Sequence, residues 1–381
     1  MAANGGVPGQ DFPNPLAGNP KYQTVRELGA GSFGIVQLAI NKQTGEQVAV
    51  KFLPRGPDKV TKHVERELRS HSSFCHPHVV LFKEVFLTQS HLAIVMEFCS
   101  GGDLFQYVRD RGPLREDEAR RFLQQLVIGL DYCHRMGVVN RDIKLENALL
   151  DRNKRLLKIT DFGYAKTAAD SLPKSEVGTP NYAAPEVISG IRRTYDGTKA
   201  DVWSCGVMLY IMLFHVYPFE RPDDPPGPRG FAKVLERTQN VDYRIPSNPR
   251  ISSACRDFLS HLLVADPDQR LSTAAIMEHP WFCQGLPPGV KSLNDECLRL
   301  KPSMEQQQRT DEEIARVVRE AMVLPNQMGG PPHARHASLA SKSTSGSSEL
   351  ENYDPVFEEA YEAETTRGGD HHHRHQHKHG P

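Results

Sequence analysis

Arg141-Asp142-Ile143-Lys144-Leu145-Glu146-Asn147 is the stretch on which the reading of this chain turns. It sets a carboxylate, a cation two residues on and a carboxamide five residues on into one short polar run between apolar ones. Upstream stands Gly29-Ala30-Gly31-Ser32-Phe33-Gly34-Ile35-Val36, and downstream stands Asp161-Phe162-Gly163. A lone Asp after an Arg is an ordinary turn acid, and a lone G-x-G-x-x-G is a weak signal. The three strings in this order, with Lys144, Asn147, Asp161 and Gly163 at matching intervals, describe one apparatus.

Each string supplies a different chemical need. Glycines let backbone N–H groups approach phosphate oxygens without a side chain in the way. The loop lies between two predicted strands with no helix opening after it, which excludes the dinucleotide fingerprint. Leu28, Gly29, Ala30, Gly31, Ser32, Phe33 and Gly34 are therefore candidates for nucleotide contact, with Val36 and Ala49 as an apolar roof over a base. Lys51, in Val48-Ala49-Val50-Lys51, puts a cation on an apolar strand, a costly placement unless it meets phosphate. Glu67 on the following predicted helix is its candidate partner, ahead of its neighbour Glu65. Met96 is placed at the back of the pocket, Glu97 and Cys99 at a hinge offering backbone groups to adenine, and Leu149 beneath it.

Asp142 is the candidate catalytic base, accepting a hydroxyl proton, and Lys144 the cation that offsets charge on a moving phosphoryl group. Asn147 and Asp161 present hard oxygen ligands suited to magnesium rather than zinc. The expected cofactors are thus ATP and Mg2+. From Asp161 to Glu186 runs a polar loop carrying Ser171, Ser175 and Thr179. Arg141 stands ready to pair with a phosphate on it, which predicts a switch at Ser175 or Ser171. Glu186 and Arg270 are predicted to form a structural ion pair, and Asp201 to fix the backbone of the catalytic loop.

The whole chain agrees. It has 381 residues, enough for two or three domains, and a net charge of −1 from 46 basic and 47 acidic residues. That balance gives no general attraction to nucleic acid or to a membrane surface. Seven scattered cysteines without metal-site spacing read as reduced thiols, so a cytoplasmic or nuclear location is expected. The apolar run Val202–Phe214 is too short to span a bilayer and reads as a buried helix.

The predicted class is α+β. Residues 1–21 are expected to be disordered, 22–98 a small strand-rich lobe and 99–282 a large helical one. Strands are predicted at Val25–Leu28, Ile35–Ile40, Gln47–Phe52, Val79–Phe86 and Leu92–Met96, with a turn at Thr44-Gly45. Helices are predicted at Lys59–His71 and Glu116–Arg135. Residues 283–308 read as a linker and 309–324 as a helix opened by a capping-box match at Thr310-Asp-Glu-Glu313. Its apolar stripe is Ile314, Val317, Val318, Ala321 and Met322. Residues 325–348 read as a disordered linker, 349–365 as an acidic segment with interleaved aromatics, and 366–381 as a His-rich tail.

With these residues in place, residues 22–282 resemble the eukaryotic protein kinases. Lys144 and Gly178-Thr179-Pro180 resemble the serine/threonine class. Phe82-Lys83-Glu84-Val85, Lys144-Leu145-Glu146-Asn147, Asp161-Phe-Gly-Tyr164, Pro173-Lys174-Ser175 and Asp201-Val-Trp-Ser-Cys-Gly206 are similar to the plant sucrose-non-fermenting-related kinases. The nearest group is subfamily two, responsive to osmotic stress and abscisic acid. The resemblance implies a two-lobed kinase fold and phosphorylation of protein Ser/Thr with Arg at −3. It also implies a C-terminal helix, like 310–322, packed on the small-lobe helix, and an acidic tail that docks a protein phosphatase or regulator. Asp103 and Glu146 would supply the anionic pocket for the substrate arginine, and Arg335-His-Ala-Ser338 fits such a site. Asn140 departs from the pattern, which has histidine there, and Glu176 replaces a phosphorylatable residue. The alternative reading is a nucleotide-binding pseudokinase scaffold, which Asn140 alone favours.

Overall fold

The computed structural model describes residues 14–31, 34–162, 181–189, 195–300 and 304–323. Ser32, Phe33, Ser171, Ser175 and Thr179, and the segments expected at 325–348, 349–365 and 366–381, lie outside the described residues. In chain order the strands are β1 (Tyr22–Gly31), β2 (Gly34–Asn41), β3 (Gln47–Pro54), β4 (Phe82–Leu87), β5 (His91–Glu97), β6 (Ala148–Leu150) and β7 (Leu157–Ile159). The helices are α1 (Lys62–Ser72), α2 (Leu104–Arg111), α3 (Glu116–Arg135), α4 (Pro185–Ser189), α5 (Gly197–Phe214), α6 (Pro228–Asn240), α7 (Ser253–Leu262), α8 (Thr273–Glu278), α9 (Pro280–Cys283), α10 (Val290–Arg299) and α11 (Met304–Ala321). The class is α+β, as predicted. Among the described residues no helix is long and apolar enough to cross a membrane.

The chain divides into two units. Among the described residues, 14–65, Phe82–Phe98 and 310–323 form the first; Arg66–Leu81 and the described residues of Cys99–Arg309 form the second. The first is built on an antiparallel sheet in the order β1-β2-β3-β5-β4. Its register sorts the side chains by face. Val36 pairs with Lys51 and Lys51 with Ile94, while Ala49 pairs with Leu38 and Met96. Because alternate residues share a face, Val36, Ala49, Lys51, Ile94 and Met96 line one side. Val48, Val50, Phe52, Ala93 and Val95 line the other and form a core with Leu16, Tyr22 and Phe86. Gly34 is required where it stands: at φ +141°, a Cβ there would lie 1.9 Å from the carbonyl oxygen of Phe52.

Residues 14–21, expected to be disordered, are instead ordered. Leu16 is buried in the sheet core, Lys21 Nζ pairs with the buried Glu84 at 2.6 Å, and Asn19 Oδ1 accepts from the amides of Lys21 and Tyr22. One apolar side chain in a Gly/Pro/Asn-rich run is enough to anchor it once a sheet face is available. The predicted strand Val79–Phe86 also divides. Only Phe82–Leu87 joins the sheet; Val79 bridges Ile159, and the Val80 amide donates to the Ile159 carbonyl at 2.9 Å.

The second unit is helical around α5, whose residues from Val202 to Phe214 are buried apart from Ser204. Asp196 caps its start by accepting from the Thr198 amide. α3 spans the predicted residues, with three acids in its first turn and His134 and Arg135 in its last, matching the helix dipole. Glu186 and Arg270 form a fully paired fork at 2.8 and 3.0 Å.

The expected linker 283–308 is corrected. It contains α10, which buries Val290, Leu293, Asn294 and Cys297, a helical spacing hidden behind the Gly/Pro run before it. Asn294 Nδ2 donates to Asp131 at 2.8 Å and to the Ile128 carbonyl at 3.1 Å, clipping α10 to α3. The helix expected at 309–324 begins earlier, at Met304, so Thr310 is an interior residue and not a cap. The Gln-rich run before it has good helix propensity and simply extends the helix. Ile314, Val317, Val318 and Ala321 of the predicted stripe are buried and Ala315 joins them, while Met322 is only half-buried. In the first unit the end of α11 is closed by the β3–α1 connection. The Gly56 amide donates to the Ala321 carbonyl at 2.9 Å and Arg55 Nη2 to the Glu320 carbonyl at 2.8 Å.

Candidate active site

Asp142 is held on a loop whose backbone is pinned from below. The carboxylate of Asp201, 1 % exposed on α5, accepts from the amide of Asn140 at 3.1 Å, from the amide of Arg141 at 2.8 Å and from His134 Nε2 at 2.8 Å. That grip holds Arg141 at φ +63°, a left-handed conformation that a non-glycine residue keeps only when its surroundings over-determine it. Asn140 Oδ1 then accepts from the Asp142 amide at 3.0 Å.

Two donors converge on one oxygen of Asp142. Asn147 Nδ2 reaches Oδ2 at 2.7 Å and Lys144 Nζ reaches it at 3.0 Å. Asn147 Nδ2 also donates to the Asp142 carbonyl at 2.9 Å, so the carbonyl end of its amide is the end that can take a cation. The β6–β7 ribbon brings in the second oxygen ligand. Ala148 pairs with Ile159, and the Thr160 amide donates to the Asn147 carbonyl at 3.0 Å, so Asp161 follows directly. Asp161 is the second left-handed residue of the site, at φ +56°. Phe162 beyond it is buried, with its ring 5.0 Å from those of both His71 and Phe74. A carboxamide oxygen and a carboxylate on adjoining strand ends are a hard donor set, which fits Mg2+.

Glu67 lies on α1 within the second unit. Burial pushes its carboxyl up to about 7; Arg141 and Arg66 pull against this and Asp161 adds to it. Lys51 sits on β3 in the first unit, on the same sheet face as Val36, Ala49 and Met96. Gly29 pairs with Val36 across β1 and β2, and the β1 register shifts at Val25 and again at Leu28. Glu97 ends β5 in the first unit, while Cys99 and Leu149 belong to the second. The candidate residues are therefore gathered in two sets: the glycine strand, roof and lysine on one sheet, and Asp142, Lys144, Asn147 and Asp161 around one loop.

The expected substrate-side acids have partners already. Asp103 caps α2, its Oδ1 accepting from the Gln106 amide at 2.7 Å. Glu146 is exposed and lies 3.5 Å from the Tyr182 hydroxyl, which donates to it. The spacing of Asp103 before an apolar helix start was a readable cap signal. Sequence reasoning missed His134 as the third support of Asp201, because no local pattern links residues so far apart. A cluster of Asp257, His261 and His279 has ligand atoms within 4.8 Å of one another. It is committed elsewhere: His279 Nδ1 accepts from the Trp281 amide at 3.2 Å, so its Nε2 carries the proton shared with Asp257 at 3.1 Å, and His261 Nδ1 donates to the Asp257 carbonyl at 2.8 Å.

Comparison with known proteins follows the same outline. Residues 22–282 match the model of the protein kinase domain. The serine/threonine-protein kinase SRK2E of Arabidopsis thaliana is 48 % identical over 307 residues, covering 80 % of this chain and 83 % of that one. The serine/threonine-protein kinase SAPK5 of Oryza sativa subsp. japonica is 51 % identical over 273 residues, 71 % of this chain and 72 % of that one. The serine/threonine-protein kinase SRK2A of Physcomitrium patens is 46 % identical over 316 residues, 82 % and 88 % respectively.

Proposed function

Since this chain belongs to the protein kinase family, as an ATP-dependent serine/threonine kinase of the sucrose-non-fermenting-related subfamily two, we propose that it phosphorylates basophilic protein sites in stress signalling. The observation that carries the catalytic assignment is the convergence of Asn147 and Lys144 on one oxygen of Asp142. Asp142 takes the proton of the substrate hydroxyl as that oxygen bonds to the γ-phosphorus and the bridging bond to the β-phosphate breaks. Lys144 offsets charge on the phosphoryl group in flight. Asn147 and Asp161 would hold Mg2+, which supplies charge neutralisation on the phosphates. Gly29, Gly31 and Gly34 admit the phosphates to backbone amides, and Lys51 grips them.

Substrates with Arg at −3 are read by Glu146 and Asp103. A phosphate on Ser175 pairs with Arg141 and orders the loop between Asp161 and Glu186. The α11 helix braces the start of α1, and the tail recruits a phosphatase or an upstream kinase. All seven cysteines are free thiols, which suits a cytoplasmic or nuclear setting. The test is a positional peptide array on the purified full chain, with and without phosphatase treatment, beside Asp142→Ala and Ser175→Ala. The proposal expects Arg at −3 to dominate, Asp142→Ala to be inert and Ser175→Ala to resist activation. An inert wild type that still binds ATP would make the chain a scaffold, and undiminished activity in Ser175→Ala would remove the switch.

A further inference from the structure

Asn140 touches both halves of the catalytic loop cluster. The residue is 4 % exposed. Oδ1 accepts from the Asp142 amide at 3.0 Å, two residues on, and Nδ2 donates to the Asp161 carbonyl at 3.5 Å. Its backbone amide is held by Asp201 at 3.1 Å. Between those fixed points lies Arg141, in its left-handed conformation at φ +63°. The Oδ1 bond closes an Asx turn over Arg141, so it fixes the peptide plane from which the Asp142 side chain departs.

We propose that Asn140 is a positioning residue for phosphoryl transfer, acting through the Asp142 main chain by way of its Oδ1. The two ends of its amide are unequal. A 3.0 Å bond is of ordinary length, whereas 3.5 Å is at the outer limit of a hydrogen bond, so the acceptor end carries the effect. With that end removed, Arg141 is no longer locked from both sides and relaxes toward the common backbone regions. The Asp142 carboxylate then leaves its alignment with Lys144 Nζ and Asn147 Nδ2. Asn140 reaches Asp161, on the metal side, only through the long Nδ2 contact at 3.5 Å, so ATP affinity changes little. Histidine can fill the same role in this chain's own chemistry. His76 Nδ1 accepts from the His78 amide at 3.1 Å and His279 Nδ1 from the Trp281 amide at 3.2 Å, both two residues on.

Three variants of the full chain test this: Asn140→Ala, Asn140→Ser and Asn140→His. Steady-state peptide phosphorylation and the melting rise given by Mg·ADP are measured for each. The proposal expects kcat to fall about tenfold in Asn140→Ala, with the KM for ATP and the Mg·ADP shift changed less than twofold. Asn140→Ser and Asn140→His keep an acceptor two residues before the Asp142 amide and should retain kcat within about threefold of wild type. A wild-type kcat in Asn140→Ala overturns the proposal. So does an equal loss of kcat in the serine and alanine variants, or a loss shared by kcat and the Mg·ADP shift, which would place the effect in general packing or at Asp161. Should the alanine variant not fold, the serine and histidine variants decide: retention supports the assignment and a tenfold loss in both refutes it.

Discussion

Replacing Arg270 with methionine should bring the helical unit close to its unfolding limit, and most of the damage should come from what is left behind. The Arg270 side chain is 0 % exposed and that of Glu186 6 %. The guanidinium gives both nitrogens to Glu186, at 2.8 and 3.0 Å. It also donates to the Lys199 carbonyl at 2.6 Å and to the Val264 carbonyl at 2.9 and 3.2 Å, and lies 5.2 Å from the Trp203 ring centre. Methionine fills much of the volume and offers no donor. An unpaired buried carboxylate costs about 3–5 kcal/mol. That is comparable with a whole-domain stability of about 5–15 kcal/mol. The double variant Glu186→Gln, Arg270→Met removes the stranded charge and should recover about 2 kcal/mol. The assay is urea unfolding followed by tryptophan fluorescence. The chain has two tryptophans, Trp203 and Trp281, both buried in this unit, so the signal reports it alone. A loss below about 1 kcal/mol in Arg270→Met, or a double variant no better than the single one, would refute the reasoning that charge burial dominates here.

Three further outcomes are expected. Gly34→Ala drives a Cβ to within 1.9 Å of the Phe52 carbonyl, so the β2–β3 pairing must shift at a cost of about 1–3 kcal/mol; an unchanged melting temperature would show that the strand end yields freely. Ending the chain after residue 303 removes buried Ile314, Val317 and Val318, each worth up to about 1.5–3 kcal/mol, and takes the acceptor from the Gly56 amide. Hydrogen exchange at Gly56 should then speed up, and unaltered protection would count against α11 as a brace. Two groups set opposite pH slopes. His78 is buried neutral, its pKa lowered to about 3 chiefly by burial, so its contribution is present above pH 6.5 and is lost as pH falls from there. Glu67, raised from 4.5 to about 7, contributes fully below 4.5, and that contribution is lost as pH rises through 7. Because the two slopes oppose each other below pH 6.5, the Glu67 effect is read as a difference: in melting scans from pH 5 to 8.5, Glu67→Gln should gain on the wild type as pH rises from 5 to 7 and gain no further above 7; parallel profiles would refute the assignment.

The local strings carried the chemistry. Gly29 to Val36, Asp142 to Asn147 and Asp161 to Gly163 stood out as candidates because phosphate, proton and cation each demand particular side chains at fixed short intervals, and such intervals survive in one dimension. Periodicity likewise exposed α3, the buried run of α5 and the stripe of α11, since a helix repeats its face every few residues. Other features had no local signature. The anchoring of Leu16 depends on a sheet face assembled from β2, β3 and β5. The departure of Val79 and Val80 from the predicted strand depends on Ile159, eighty residues away, offering a better partner for two backbone groups. The helix α10 was obscured by the Gly/Pro run before it, and its Asn294 became a clip only when Asp131 was beside it. Above all, the loop that carries Asp142 is pinned by Asp201, His134 and Asn140. A residue's identity follows from the reaction it must perform, but its direction in space is set by hydrogen bonds that only the folded chain brings within reach.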